Sequence, residues 1–238
     1  MGRELFLDFF TEHEVPVIRK RRHTFLKMDD ENVYILKEGV VKVSVLMRDG
    51  REFNIAYLKG FDILSMFKDA VVDCKFSSLM IRVESEEASF CLVSREDFSR
   101  AVKQDEKLKE YVEAYYRENL QRALYRQKCM TMNGKSGAIY AFLYNLISLF
   151  GKENEEGILI DMQVTNDDIA GFCGISTRNS VNRILRGLRE NGVISVENQK
   201  ILIKDKEYLE QYMQRLYRFG IDETRKHAIS PLLCSRCV

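Results

Sequence analysis

The stretch TRNSVNRILRGLRENG carries the densest chemistry in this 238-residue chain. Arg178, Arg183, Arg186 and Arg189 supply guanidinium forks, Asn179 and Asn182 supply carboxamides that donate and accept together, and Thr177 supplies a hydroxyl. An arginine fork matches the two acceptors on the major-groove edge of guanine, and a carboxamide exchanges two hydrogen bonds with adenine. Val181, Ile184, Leu185 and Leu188 stand at i, i+3, i+4 and i+7, so they form one side of a helix and must face a core. The polar residues then lie on the other sides. Thr177, Arg178, Asn179, Asn182 and Arg183 belong to the start of this helix, the part that meets base edges when a helix enters a major groove. Arg186 and Arg189 lie farther along and suit phosphates. A solvated basic face would use the same residue types, so the surrounding elements decide between the two readings.

A second constellation is CSRC, where Cys234 and Cys237 have the C-x-x-C spacing of two ligands on one metal. Cys129 or His227 could complete such a set, and a reversibly oxidised exposed thiol pair fits the same spacing. Cys91 and Cys173 sit in apolar patterns and read as core residues. His13 and His23 have no neighbours that suggest catalysis. Asp29-Asp30, Glu86-Glu87 and Asp167-Asp168 fall in turns or at a helix start, where negative charge caps or solubilises. No Ser/His/Asp constellation, phosphate loop or hydrolase metal motif is present, and the C-x-x-C pair lacks the βαβ setting of a disulfide oxidoreductase. No enzyme is predicted.

The elements that must hold these residues read clearly. Between Val15 and Val93 short strands alternate with turns: Val41, Val43 and Val45 alternate with Lys42 and Ser44, and Asp49-Gly50 is a hairpin turn signal. Ser94, with Asp97 three residues on, caps a short helix. From Asp105 to Met132 Leu108, Val112, Tyr116, Leu120 and Leu124 recur every fourth residue, which predicts a helix of about seven turns with one apolar face. Asn133-Gly134 breaks it, and with Gly137 this segment reads as a hinge or as a helix cap. An apolar helix over Lys135 to Phe150 and a strand in EGILIDM follow. Thr165 and Asp168 form a capping box, Gly174 turns the chain, the basic helix runs over Thr177 to Asn191, Gly192 ends it, and VISVENQKILIKD forms a hairpin. Capped helix, glycine turn, basic helix and hairpin make a winged helix-turn-helix. The expected fold is therefore α+β: a β-roll over residues 1–104, a dimerisation helix over 105–133, the winged helix-turn-helix over 134–219 and a tail over 220–238.

Charge agrees with a local basic patch. The whole chain has 37 Lys and Arg against 36 Asp and Glu, which excludes a uniformly basic protein, yet Ser176 to Lys204 carries a surplus of four positive charges. No apolar run reaches a membrane span and the start lacks a secretory signal, so a cytoplasmic protein with mostly reduced thiols and no membrane partner is expected.

NVYILKEGVVKVSVLMRDGREFNIAYLKGFDIL, with Gly39, the DGRE turn and Gly60, resembles the sensor roll of the cyclic-AMP receptor protein and fumarate–nitrate regulator (CRP/FNR) family. TNDDIAGFCGISTRNSVNRILRGLRENGVI is similar to that family's DNA-binding signature. The seven-residue step from Gly174 to Val181, YLKGFDI and NGKSGAIY resemble the PrfA-like members. The resemblance implies a dimeric, sequence-specific transcription regulator whose partners are double-stranded DNA with a near-palindromic operator, a second copy of the chain and RNA polymerase. Cyclic-AMP-binding members use a Gly-Glu and an Arg-Ser pair, and FDILSMFKDAVVDCKFSSLMIRV has neither, so cyclic AMP is not expected. PrfA-like members imply a glutathione-like thiol peptide, for which Tyr57, Lys59, Tyr140, Tyr144 and Phe150 are the matching positions, with Lys59 on a carboxylate. The same aromatics also read as plain core. Fumarate–nitrate regulators imply an iron–sulfur cluster, with Cys234 and Cys237 as partial ligands. The competing function is a redox or ligand sensor that works through protein partners without DNA.

Overall fold

The computed structural model describes residues 15–67, 78–132 and 134–217. The chain forms two compact units, residues 1–119 and 120–238. Several positions singled out in the sequence lie outside the described residues: His13, Asn133, His227, Cys234, Cys237 and part of the stretch FDILSMFKDAVVDCKFSSLMIRV.

The first unit is built from β1 (Val17–Arg21), β2 (Phe25–Leu26), β3 (Asn32–Glu38), β4 (Val40–Leu46), β5 (Glu52–Lys59), β6 (Asp62–Ile63), β7 (Ser78–Val83) and β8 (Glu87–Ser94). They pair into two four-stranded antiparallel sheets, ordered β1-β8-β3-β6 and β2-β7-β4-β5. Leu36 and Phe90 from one sheet and Val41, Val43, Leu58, Ile81 and Val83 from the other share one core. The other side of the first sheet presents Val33, Ile35, Cys91 and Val93, which pack against Leu108 and Val112.

Strand β4 is where the alternation predicts it, but its polar side is buried as well: Lys42 and Ser44 are 2% and 1% exposed. An ammonium taken out of water needs a counter-charge. Glu52 supplies it across the β4–β5 pair, with Oε2 2.8 Å from Lys42 Nζ. Met47 N–H donates to the Arg51 carbonyl at 2.8 Å to close the hairpin, and Gly50 takes a φ of +81°.

Helix α1 (Arg95–Gln104) starts on Ser94, whose hydroxyl accepts from the Asp97 N–H. Helix α2 (Glu106–Met132) begins one residue later than its pattern suggests, because Asp105 Oδ1 accepts from the N–H groups of Lys107 and Leu108 and so serves as the cap. Its 27 residues span about 40 Å. Leu108 and Val112 are buried, whereas Tyr116, Leu120 and Leu124 are 50%, 62% and 57% exposed. The apolar stripe is thus covered only at its start.

In the second unit α3 (Gly134–Phe150) buries Ile139, Leu143, Leu146 and Phe150. Gly134 has a φ of +60°, while Gly137 lies buried inside the helix and is no part of a flexible joint. Strands β9 (Gly151–Asn154), β10 (Gly157–Gln163), β11 (Ile194–Glu197) and β12 (Lys200–Ile203) form a sheet in the order β11-β12-β10-β9. The remaining helices are α4 (Asn166–Cys173), α5 (Arg178–Glu190) and α6 (Lys206–Tyr217). No helix among the described residues is long and apolar enough to cross a membrane.

Gly39 tests how tightly the roll is closed. Its φ is +102°, and a Cβ there would fall 2.7 Å from the Cα of Ala88, whereas Gly50 at +81° has open space around it. Gly39→Ala combines backbone strain with a clash against backbone, so it should cost well over the roughly 1–3 kcal/mol of strain alone, and Gly50→Ala only the strain. Urea denaturation of both variants checks the ranking.

Candidate nucleic-acid interface

The capping box on α4 fixes where the interface begins. Thr165 Oγ1 accepts from the Asp168 N–H at 3.0 Å, and Asp168 Oδ2 accepts in return from the Thr165 N–H at 3.1 Å. Ile169 and Phe172 bury one side of α4, and the Phe172 ring stacks on Phe142 of α3 at 4.9 Å. Gly174 ends α4 in the left-handed region, φ +63°, and the Ile175 N–H donates to the Ala170 carbonyl. The chain leaves that turn directly into α5.

Helix α5 is one residue shorter at each end than its pattern: Thr177 and Asn191 are the flanking caps. Thr177 makes no capping bond through its side chain, and its hydroxyl pairs with Ser180 Oγ at 2.8 Å. Val181, Leu185 and Leu188 are buried and Ile184 is half-buried, so the apolar side faces inward as spacing requires. Thr177, Arg178, Asn179, Arg183, Arg186 and Arg189 are all exposed. Arg178 Nη1 lies 3.6 Å from Asp167 Oδ2, an exposed pair that competes weakly with another anion.

Asn182 departs from this pattern. It is half-buried, and its carboxamide oxygen accepts a hydrogen bond from Asn166 Nδ2 at the start of α4. It therefore ties the two helices together. Asn166 escaped the sequence reading because two polar residues sixteen positions apart carry no periodic signal.

After α5 the Gly192 N–H donates to the Arg189 carbonyl and the Val193 N–H to the Leu188 carbonyl, turning the chain into the β11–β12 hairpin. Asn198 and Gln199 both have positive φ at its tip, as a two-residue hairpin turn demands. Asp161 on β10 lies 2.5 Å from Lys152 of β9 and 2.6 Å from Lys200 of β12. Hydrogen bonds from Lys152 and then Lys200 bring its carboxyl down to about 2.

The aromatic positions split between the units. Tyr57 is buried and Lys59 exposed on β5 in the first. In the second, Phe150 is buried, Tyr140 meets Tyr208 and Tyr212 edge-on at 5.8 and 4.5 Å, and Tyr144 packs on the Cys129 cluster. Cys91, Cys129 and Cys173 are buried free thiols. Burial raises all three, Cys173 to about 12, so they stay protonated and unreactive. Among the described residues no group of three His, Cys, Asp or Glu side chains is placed to hold a metal ion.

Residues 138–212 match the Crp-like helix-turn-helix domain. The chain is 46% identical over 209 residues to the lactate racemization regulatory protein of Lactiplantibacillus plantarum, covering 87% of this chain and 95% of that one. It is 26% identical over 200 residues to the listeriolysin regulatory protein of Listeria monocytogenes, covering 83% and 84%. Its fold is similar to a CRP-family transcriptional regulator from Thermus thermophilus, with a TM-score of 0.66 at 20% identity over 83% of this chain and 96% of that one.

The Lys152–Asp161–Lys200 bridge makes the wing sensitive to acid. Because the folded carboxyl titrates near 2, below its ordinary 3.8, its stabilisation is present above about pH 4 and disappears as pH falls through 2. The stability difference between the parent and Asp161→Asn should therefore shrink from pH 5 to pH 2 in chemical denaturation. A constant difference would show that the bridge contributes nothing specific.

Proposed function

Since the chain belongs to the CRP/FNR family of transcription regulators, with similarity to its PrfA-like members, we propose that it acts as a homodimer reading a near-palindromic duplex with α5 of each copy. The observation that carries this reading is the division of α5: three apolar side chains are buried while every arginine is exposed. Arg178, Asn179 and Arg183, with Thr177 beside them, face base edges, and Arg186 and Arg189 hold phosphates. Asn182 sets the angle between α4 and α5 through Asn166. The exposed stripe of Tyr116, Leu120 and Leu124 supports the dimer, since contiguous apolar surface of this kind is what a soluble monomer covers. Two copies packed along α2 would set their α5 helices about 34 Å apart, on successive major grooves. The missing Gly-Glu and Arg-Ser pairs support an effector other than cyclic AMP. Similarity to the lactate racemization regulatory protein supports lactate racemization as the process under control.

Arg183→Ala should cost about 1–3 kcal/mol at one base pair and relax specificity there. Arg189→Ala should weaken all sequences alike and lower the salt slope by about 1. Fluorescence anisotropy on operator and scrambled duplexes separates the two, and no loss for either would leave the protein-partner reading in place. Leu120→Arg places a charge in the stripe and should give monomers in sedimentation with operator binding lost.

A further inference from the structure

Arg178 opens α5, and Asp167 lies in the first turn of α4. Their side chains meet across the two helices with Nη1 3.6 Å from Oδ2, and both are exposed, 63% and 70%. The packing beneath them holds the pair in place. Asn166, next to Asp167 in the chain, donates to Asn182, which stands one turn after Arg178. Asp167 takes neither hydrogen bond of the capping box, since Asp168 makes both. Its carboxylate is left to face Arg178.

That carboxylate sets Arg178 apart. Arg183, Arg186 and Arg189 are exposed like Arg178, yet none of them has an ion pair among the described residues. A phosphate backbone attracts net charge, and it senses that charge within a screening length of about 8 Å at physiological salt. An arginine with a carboxylate beside it therefore adds little to binding that ignores sequence. Base reading is not lost in the same way. The guanidinium has five N–H groups, and a contact through Nη1 leaves the Nε–Nη2 edge for the two acceptors of guanine. An exposed pair is also weak enough for a base to share the arginine.

We propose that Asp167 is a specificity-determining residue, which positions Arg178 for one base pair and cancels its pull on the phosphate backbone. This role rests on α5 being the helix that reads bases. The full-length parent, Asp167→Asn, Arg178→Ala and the double variant are compared by fluorescence anisotropy. The duplexes are the sequence that the parent selects from a randomised pool, that sequence changed one base pair at a time, and a scrambled one. Arg178→Ala should flatten the preference at one base pair. Asp167→Asn should flatten the same base pair and no other, and should lower the ratio of selected to scrambled affinity about two- to fivefold, the range of an exposed pair. It should also tighten the scrambled duplex and steepen its salt slope by about 1, because one negative charge facing the backbone is gone. In the double variant the preference should be no flatter than in Arg178→Ala alone. If the parent selects no sequence, or Arg178→Ala leaves every base pair read as before, the base-reading role of α5 or of Arg178 fails and the proposal with it. If Arg178→Ala relaxes one base pair while Asp167→Asn relaxes none, or relaxes all alike as a loosened helix would, the proposal alone is overturned.

Discussion

Burial of Val181, Leu185 and Leu188 sets the orientation of α5, and the interface follows from it. Each of these side chains gains about 1.5–3 kcal/mol by leaving water. Turning the helix by one residue, about 100°, would expose all three and push an asparagine or arginine into their place, at a further cost for each unpaired polar group. No surface interaction is large enough to oppose this. The capping box at Thr165 and the left-handed turn at Gly174 then fix the end from which α5 emerges. The arginines are outward because nothing else is compatible with the core.

The parts legible in the sequence were those where a local rule has one solution. Thr165 with Asp168, Gly174 and Gly192 mark ends of helices by backbone chemistry, and the i, i+3, i+4, i+7 pattern names the buried side of α5 without reference to other elements. The Asp49-Gly50 hairpin and the Ser94 cap are of the same kind. What escaped depends on partners distant in sequence. Lys42 and Ser44 alternate with valines as solvent-facing residues do, yet they are buried, and Lys42 pairs with Glu52, which the register sets opposite Leu46 and not opposite Lys42. Strand β9, Gly151–Asn154, has no apolar residue and is fully exposed; backbone pairing with β10 makes it a strand. Asn182 has the residue type of a base reader, and its engagement by Asn166 comes from the packing of α4 on α5.

Helix α2 changes character along its length, a consequence of a four-residue spacing on a 3.6-residue helix. Such a stripe drifts about 40° per step, so residues at its start and end cannot share one partner. Leu108 and Val112 go to the β-sheet core, Tyr116, Leu120 and Leu124 are left outside, and Cys129 on the far side packs on α3. One continuous helix thus meets two neighbours and leaves a third, apolar surface exposed. The exposed one is the surface to which the dimer proposal assigns the second copy.

The central claim is that two copies of α5 read DNA with two-fold symmetry. Selection of bound sequences from a pool of randomised duplexes, with the unmodified protein and no assumed operator, tests it most directly. Two-fold reading predicts enrichment of an inverted repeat whose half-sites are centred about 10 base pairs apart, one helical turn. Enrichment of sequences without two-fold symmetry, or none at all, would contradict it.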